Sequence, residues 1–255
     1  MRASFEKPRA VQLRGIIPIV KGHDVAIESL TGTGQTAAFS ISILQKLDLS
    51  LKQCQVLVLV PTRGVALQTH REINALGCYM DVKCHVCIEG AIDETNLANG
   101  STQIVVGTFE QVFKAIKCRI ISTLMIKMCI FDEADEILQT PGVEEKVYDL
   151  VQLLPGSTQV IIGSSETSDG DVDAMKRLMR DPLALSLKEG DPLANVTQYF
   201  VTVGNSSPYH GCYTKKSQAL SDFYQYKFER IPGKAIVFFN SCDQVRSAKV
   251  KRLGA

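Results

Sequence analysis

Residues 24–39 read DVAIESLTGTGQTAAF, and the rest of the chain is best read outward from this stretch. DVAI is a short apolar run headed by an acid, the pattern of a strand covered on both faces. TGTGQT at 31–36 follows it and opens a helical pattern running from Gln35 to Leu47. Gly32 and Gly34 allow backbone N–H groups to approach an anion, and the helix N-terminus adds a favourable dipole. A lone Gly-x-Gly is equally well a flexible turn. Strand, glycine loop, threonine and helix in succession point instead to a phosphate-binding loop made of Thr31, Gly32, Thr33, Gly34, Gln35 and Thr36. One residue departs from that chemistry. A working loop of this type has lysine before the final hydroxyl, whereas Gln35 carries no charge to offset the β- and γ-phosphates.

The same alternation continues along the chain. Short β-branched runs at Asp24–Ile27, Gln55–Val60, Val82–Ile88, Gln103–Val106, Met128–Asp132 and Gln159–Ile162 predict strands. Between them, 3.6-residue periodicity predicts helices at Ala10–Val20, Gln35–Leu47, Gly64–Ala75, Glu110–Ile116, Glu144–Leu153 and Asp171–Arg180. Apolar strands alternating with helices define an α/β, doubly wound parallel sheet, in which ligands sit at the carboxyl ends of the strands. Pro182 ends the last helix, and KEGDPLAN at 188–195 reads as a linker. Beyond it, strands at Val196–Val203 and Ala235–Phe239 flank a helix at Ser217–Phe228. The predicted organisation is one domain over 1–187, the linker, and part of a second domain over 196–255.

MCIFDEAD at 128–135 is an apolar strand ending in two acids. Carboxylates at a buried strand end beside a phosphate loop suit magnesium chemistry: Asp132 and Thr36 as Mg2+ ligands, and Glu133 orienting the attacking water. Taken alone, the acids also suit a solvated turn with an acidic helix start.

Composition is compatible with this reading and excludes others. Of 255 residues, 45% are hydrophobic and 22% charged, which is the balance of a soluble globular chain and not of a disordered or collagenous one. No apolar run approaches the ~20 residues of a spanning helix, so no membrane role is expected, and the N-terminus lacks a signal-peptide core. Eight cysteines lie mostly in apolar runs, which favours reduced thiols and a cytoplasmic setting. The net charge of +1 conceals an asymmetry: residues 201–255 carry nine basic and three acidic residues.

With these motifs in place the chain resembles the DEAD-box RNA helicases, closest to their eukaryotic translation initiation factor four-A type, named for residues such as those at 132–135. FEKPRAVQ at 5–12 is similar to the family's Q motif. The resemblance implies that Phe5 stacks on adenine and Gln12 reads its edge. PTR at 61–63, DEADE at 132–136, Asp181-Pro182 and AIVFFN at 235–240 stand at family spacing. The family fold is a pair of RecA-like domains that hold ATP and single-stranded RNA between them. The implied RNA contacts are to the sugar-phosphate backbone and sequence-independent, through Pro61, Thr62, Arg63, Gly90 and Thr108. Ser164 and Glu166 stand in the motif that couples hydrolysis to unwinding. The family implies a monomer with ATP and Mg2+ as cofactors and translation-initiation scaffold proteins as partners.

The departures point toward weak catalysis. Beside Gln35, the family's PTRELA is PTRGVA here, its double glycine is Glu89-Gly90, and its TPGR is Thr108-Phe109-Glu110-Gln111. Its Ser-Ala-Thr reads Ser164-Ser165-Glu166. The chain stops short of the family's arginine fingers, groups that contribute roughly 10³–10⁵ in rate elsewhere. An active ATP-dependent helicase and a non-catalytic nucleotide- or RNA-binding relative are both consistent with these residues. Cys84-His85-Val86-Cys87 has a metal-like spacing, but it lies in a strand pattern with no second pair, so buried thiols are expected. The Tyr and Lys mixture at 209–227 is expected to be ordinary core and solvated face rather than a stacking platform.

Overall fold

In the computed structural model, described residues are 7–90, 101–165, 178–187, 197, 199–202, 216, 218–220, 222–223, 236–239 and 241. Seven strands form one sheet: β1 (Val25–Glu28), β2 (Val56–Val60), β3 (Cys84–Cys87), β4 (Ile104–Thr108), β5 (Met128–Phe131), β6 (Gln159–Ser164) and β7 (Leu183–Ser186). Their order is β3-β4-β2-β5-β6-β1-β7, and every pairing is parallel. Among the described residues up to 187 the helices are α1 (Ala10–Lys21), α2 (Gln35–Lys46), α3 (Arg63–Leu76), α4 (Phe109–Lys117), α5 (Ala134–Leu138) and α6 (Val143–Leu153).

Period-two alternation splits the core in two. Val56, Val58 and Val60 of β2 face a cluster with Val11, Ile19, Phe39, Ile43 and Ile73 from α1–α3. Leu57 and Leu59 of the same strand face Phe109, Val112, Val147 and Leu150 from α4 and α6. All five residues of β2 are therefore buried, which is why its sequence is continuously apolar rather than alternating. Close approach of β3 and β4 depends on Gly107, where an added Cβ would lie 2.2 Å from the Cys87 carbonyl oxygen.

The six expected strands of this region all form, with ends shifted by up to two residues. Two features were not expected. Leu183–Ser186 pairs with β1 as an edge strand; four mostly exposed residues after a proline carry little pattern. Buried Asp24 fastens that edge: its carboxylate accepts from Val160 N at 3.0 Å and Arg180 N at 2.7 Å. The second is the short helix α5, which follows Glu133 in left-handed conformation (φ 57°).

The chain divides into two units, 1–192 and 193–255. In the second, residues 218–220 and 222–223 are helical, and Gln218 Nε2 donates to Asp222 Oδ1 at 2.9 Å. The strands expected at 196–203 and 235–239 are not formed at their described residues, where Phe200 and Phe238 are 91% and 89% exposed. An apolar run supplies the capacity to pair, but a ladder also requires a partner strand. The linker 188–195, residues 171–177 of the helix expected at Asp171–Arg180, and Tyr209, Tyr213, Tyr224 and Tyr226 lie outside the described residues.

Candidate nucleotide site and the neighbouring strand ends

The loop leaving β1 folds over the start of α2 because its glycines accept positive φ: 81° at Gly32 and 91° at Gly34. Ser29 Oγ and Thr33 Oγ1 lie 3.0 Å apart across the loop. The α1 start docks against it. Gln12 accepts from Arg9 N at 3.0 Å through its Oε1, and its Nε2 donates to the Gly34 carbonyl at 3.4 Å. Together with the ends of β5 and β6 these residues enclose a cleft of about 970 Å³.

At the floor of the cleft, Thr36 Oγ1 donates to Asp132 Oδ2 at 2.8 Å. Asp132 is 2% exposed. Burial pushes its carboxyl up to about 6, the Thr36 hydrogen bond opposes the shift, and Glu72 adds repulsion. Burial and the adjacent Asp132 raise Glu133 to about 7. The Thr36 hydroxyl and the buried Asp132 carboxylate, two hard oxygen donors that meet beside the half-buried carboxylates of Glu72 and Glu133, form a donor set that fits Mg2+.

Gln35 does not reach into the loop. Its Nε2 donates to the Ile27 carbonyl at 2.9 Å, and the side chain lies over Gly163, where an added Cβ would be 2.8 Å from that nitrogen. Ser164 is buried at the end of β6, and its carbonyl accepts from Ser29 N at 3.1 Å. Phe5 and Glu166 lie outside the described residues.

The residues expected to meet RNA gather over the other half of the sheet. Thr62 caps α3 by accepting from Val65 N. Arg63 Nη1 donates to the Glu89 carbonyl at 3.2 Å, which ties the end of β2 to the turn containing Gly90. Thr108 ends β4 in register with Val60. Glu110 forms an ion pair with Lys146 at 2.8 Å.

Several cleft residues were not singled out from sequence. Arg9 lies beside the loop, and Gln68 and Glu72 of α3 line the cleft. Their signal was the four-residue spacing that puts both on one helix face. Ser165 Oγ donates to Asp135 Oδ2 at 2.7 Å, joining β6 to α5. As for Cys84 and Cys87, burial raises both thiols, Cys87 to about 11. Among the described residues no group of three His, Cys, Asp or Glu side chains could hold a metal.

This parallel sheet, with a glycine loop and an acidic strand end sharing one cleft, defines a nucleotide-binding fold of the RecA-like type. The sequence model of the DEAD/DEAH box helicase family matches residues 9–174. The chain is 41% identical over 224 residues to the ATP-dependent RNA helicase eIF4A of Botryotinia fuckeliana, covering 87% of this chain and 54% of the relative. Its counterpart in Pyricularia oryzae is 40% identical over the same shares. Among solved structures, S. cerevisiae Dbp5 L327V bound to RNA and ADP BeF3 superposes with a TM-score of 0.80 at 22% identity, covering 95% of this chain and 60% of that one. This last likeness concerns the fold. The chain belongs to the DEAD/DEAH box helicase family and spans about half the length of the curated relatives it matches.

Proposed function

We propose that this chain binds ATP with Mg2+ in the cleft at Thr31–Thr36, and single-stranded RNA through its backbone across the ends of β2–β4. It would serve as the first RecA-like domain, over 1–187, of an ATP-dependent RNA helicase of the translation-initiation type. The observation that carries the reading is the 2.8 Å bond between Thr36 and Asp132, which joins the glycine loop to the acidic strand end. Thr36 and Asp132 would hold the ion, whose charge offsets that of the phosphates. Glu133, raised to about 7, is suited to exchange a proton with water near neutral pH. Gln12 would read the adenine edge and Phe5 stack on the ring. Ser164 and Glu166 would couple hydrolysis to RNA, which Pro61, Thr62, Arg63, Gly90 and Thr108 would contact.

A specific observation favours slow turnover. The Gln35 amide is engaged with the Ile27 carbonyl, and as a neutral group it adds no charge at the phosphates. A missing transition-state contact of this kind costs about 3 kcal/mol. The chain then acts chiefly as a nucleotide- and RNA-binding module that competes for partners of catalytically active helicases. Family resemblance supports a cytoplasmic monomer meeting translation-initiation scaffolds. The test is nucleotide affinity measured with and without Mg2+ and RNA, alongside phosphate release. Magnesium-dependent ATP binding with little release is expected. Absence of nucleotide binding would overturn the proposal, and RNA-stimulated release at ordinary family rates would overturn its slow-turnover part.

A further inference from the structure

The cleft poses a charge problem. Glu72, Asp132 and Glu133 face into it, and among its described lining residues the cations are Lys7 and Arg9. The loop itself contributes no charge, because Gln35 is neutral and turned toward Ile27. Arg9 is the cation tied to the loop. As N-cap residue of α1 it is fixed by its backbone N–H, which donates to Gln12 Oε1 at 3.0 Å. Its Nη1 donates to the Gly32 carbonyl. Along the way the side chain crosses Gly34, where an added Cβ would stand 3.5 Å from Arg9 Cδ. One loop carbonyl engages one of the five guanidinium N–H donors, and the planar fork suits phosphate oxygens better than an ammonium point charge does.

We propose that Arg9 is a phosphate-binding residue of this chain, supplying from the start of α1 the positive charge that Gln35 does not supply from the loop. The inference rests on the nucleotide-binding reading above and adds a residue to it. An arginine on the rim neutralises phosphate charge in the bound state. It does not occupy the position behind the loop from which a lysine accompanies the transferring phosphoryl group. Nucleotide affinity and slow hydrolysis are then compatible in one site.

The test compares binding of ATP, ADP and adenosine to the purified chain with Mg2+ present, for the wild type, Arg9→Ala and Arg9→Lys. Arg9→Ala is expected to weaken ATP at least tenfold and ADP less, leaving adenosine within twofold. Arg9→Lys should recover part of the ATP loss. Equal weakening of all three ligands would mean that Arg9 only props the loop, and would overturn the inference. So would unchanged ATP affinity in Arg9→Ala, while leaving the nucleotide site itself standing. A wild-type chain that binds none of the three removes the underlying reading, and this inference with it.

Discussion

The carboxyl edge of the sheet presents two halves built on different principles. Over β5, β6 and β1 the site is made of hydrogen-bonded side chains: Thr36 to the Asp132 carboxylate, Ser165 to the Asp135 carboxylate, and Gln35 to the Ile27 main-chain carbonyl. Its central carboxylate is buried, which raises it to about 6. Over β3, β4 and β2 the strand ends themselves are largely buried and the surface is made of the turns beyond them, with Thr62, Arg63 and Gly90 in solvent. Both halves share one strand topology. The first recognises through dense, desolvated electrostatics, and the second offers main chain and exposed groups, as suits a partner read by its backbone.

That contrast can be broken at several points. The largest effect is expected from Gly107→Ala, which sets a methyl 2.2 Å from the Cys87 carbonyl. It should destabilise the domain by about 3 kcal/mol or more, measured by denaturant unfolding. A mild effect would mean that the strand-end half does not depend on close main-chain packing. Next comes Asp132→Asn. It should cut the Mg2+-dependent gain in ATP affinity by about two orders of magnitude, while stabilising the ligand-free domain at pH 7.5 by roughly 1–3 kcal/mol.

The sign follows from linkage. Asp132 and Glu133 have folded values raised above 3.8 and 4.5, to about 6 and about 7. The folded state therefore holds protons more tightly. The ligand-free domain should gain stability as pH falls from 7.5 toward 5, and Mg2+ affinity should fall over the same window. Thermal melts of wild type and Asp132→Asn across that range would show it, because the variant should lose the Asp132 part of the pH dependence and keep the part that burial gives Glu133. A gain in wild-type stability on raising pH would reverse the assignment.

Smaller effects belong to the exposed half. Arg63→Ala should weaken RNA binding about three- to tenfold and lower the salt slope by about one, since a single phosphate contact is removed. An unchanged slope would detach Arg63 from RNA. Least of all, Glu110→Gln should change stability by under 1 kcal/mol, because its pair with Lys146 is half-exposed. It should strengthen RNA binding less than threefold by removing a negative charge, and any weakening would place the RNA elsewhere.

Much of the fold was legible because burial on both faces writes itself as continuous apolar runs, as in Val56–Val60. The glycine loop and acidic strand end were legible for a similar reason, since each needs particular residue types at fixed spacing. β7 was not, because an edge strand with little to bury has little pattern to show. The sequence also identified Gln35 as a missing charge without revealing that its amide turns to the Ile27 carbonyl. That choice depends on Gly163, 128 positions away in the chain and close only after β1 and β6 pair. Arg9 and Glu72 reach the cleft by helix docking; the four-residue spacing of Gln68 and Glu72 marks one helix face but not what that face meets. At the described residues of 197–202 and 236–239 the apolar runs are not in strands, because pairing capacity is written locally and partners are not.

The phosphate loop has a consequence in heat rather than in geometry. Arg9, Gln12 and Ser29 brace it from outside, Ser29 through the loop's own Thr33, and its Gln35 is anchored to the Ile27 carbonyl. A loop already satisfied by its own protein gives up little conformational freedom when an anion arrives. Calorimetry of nucleotide binding should accordingly show a small heat-capacity change, the mark of a ligand entering a finished site and not of one that finishes it.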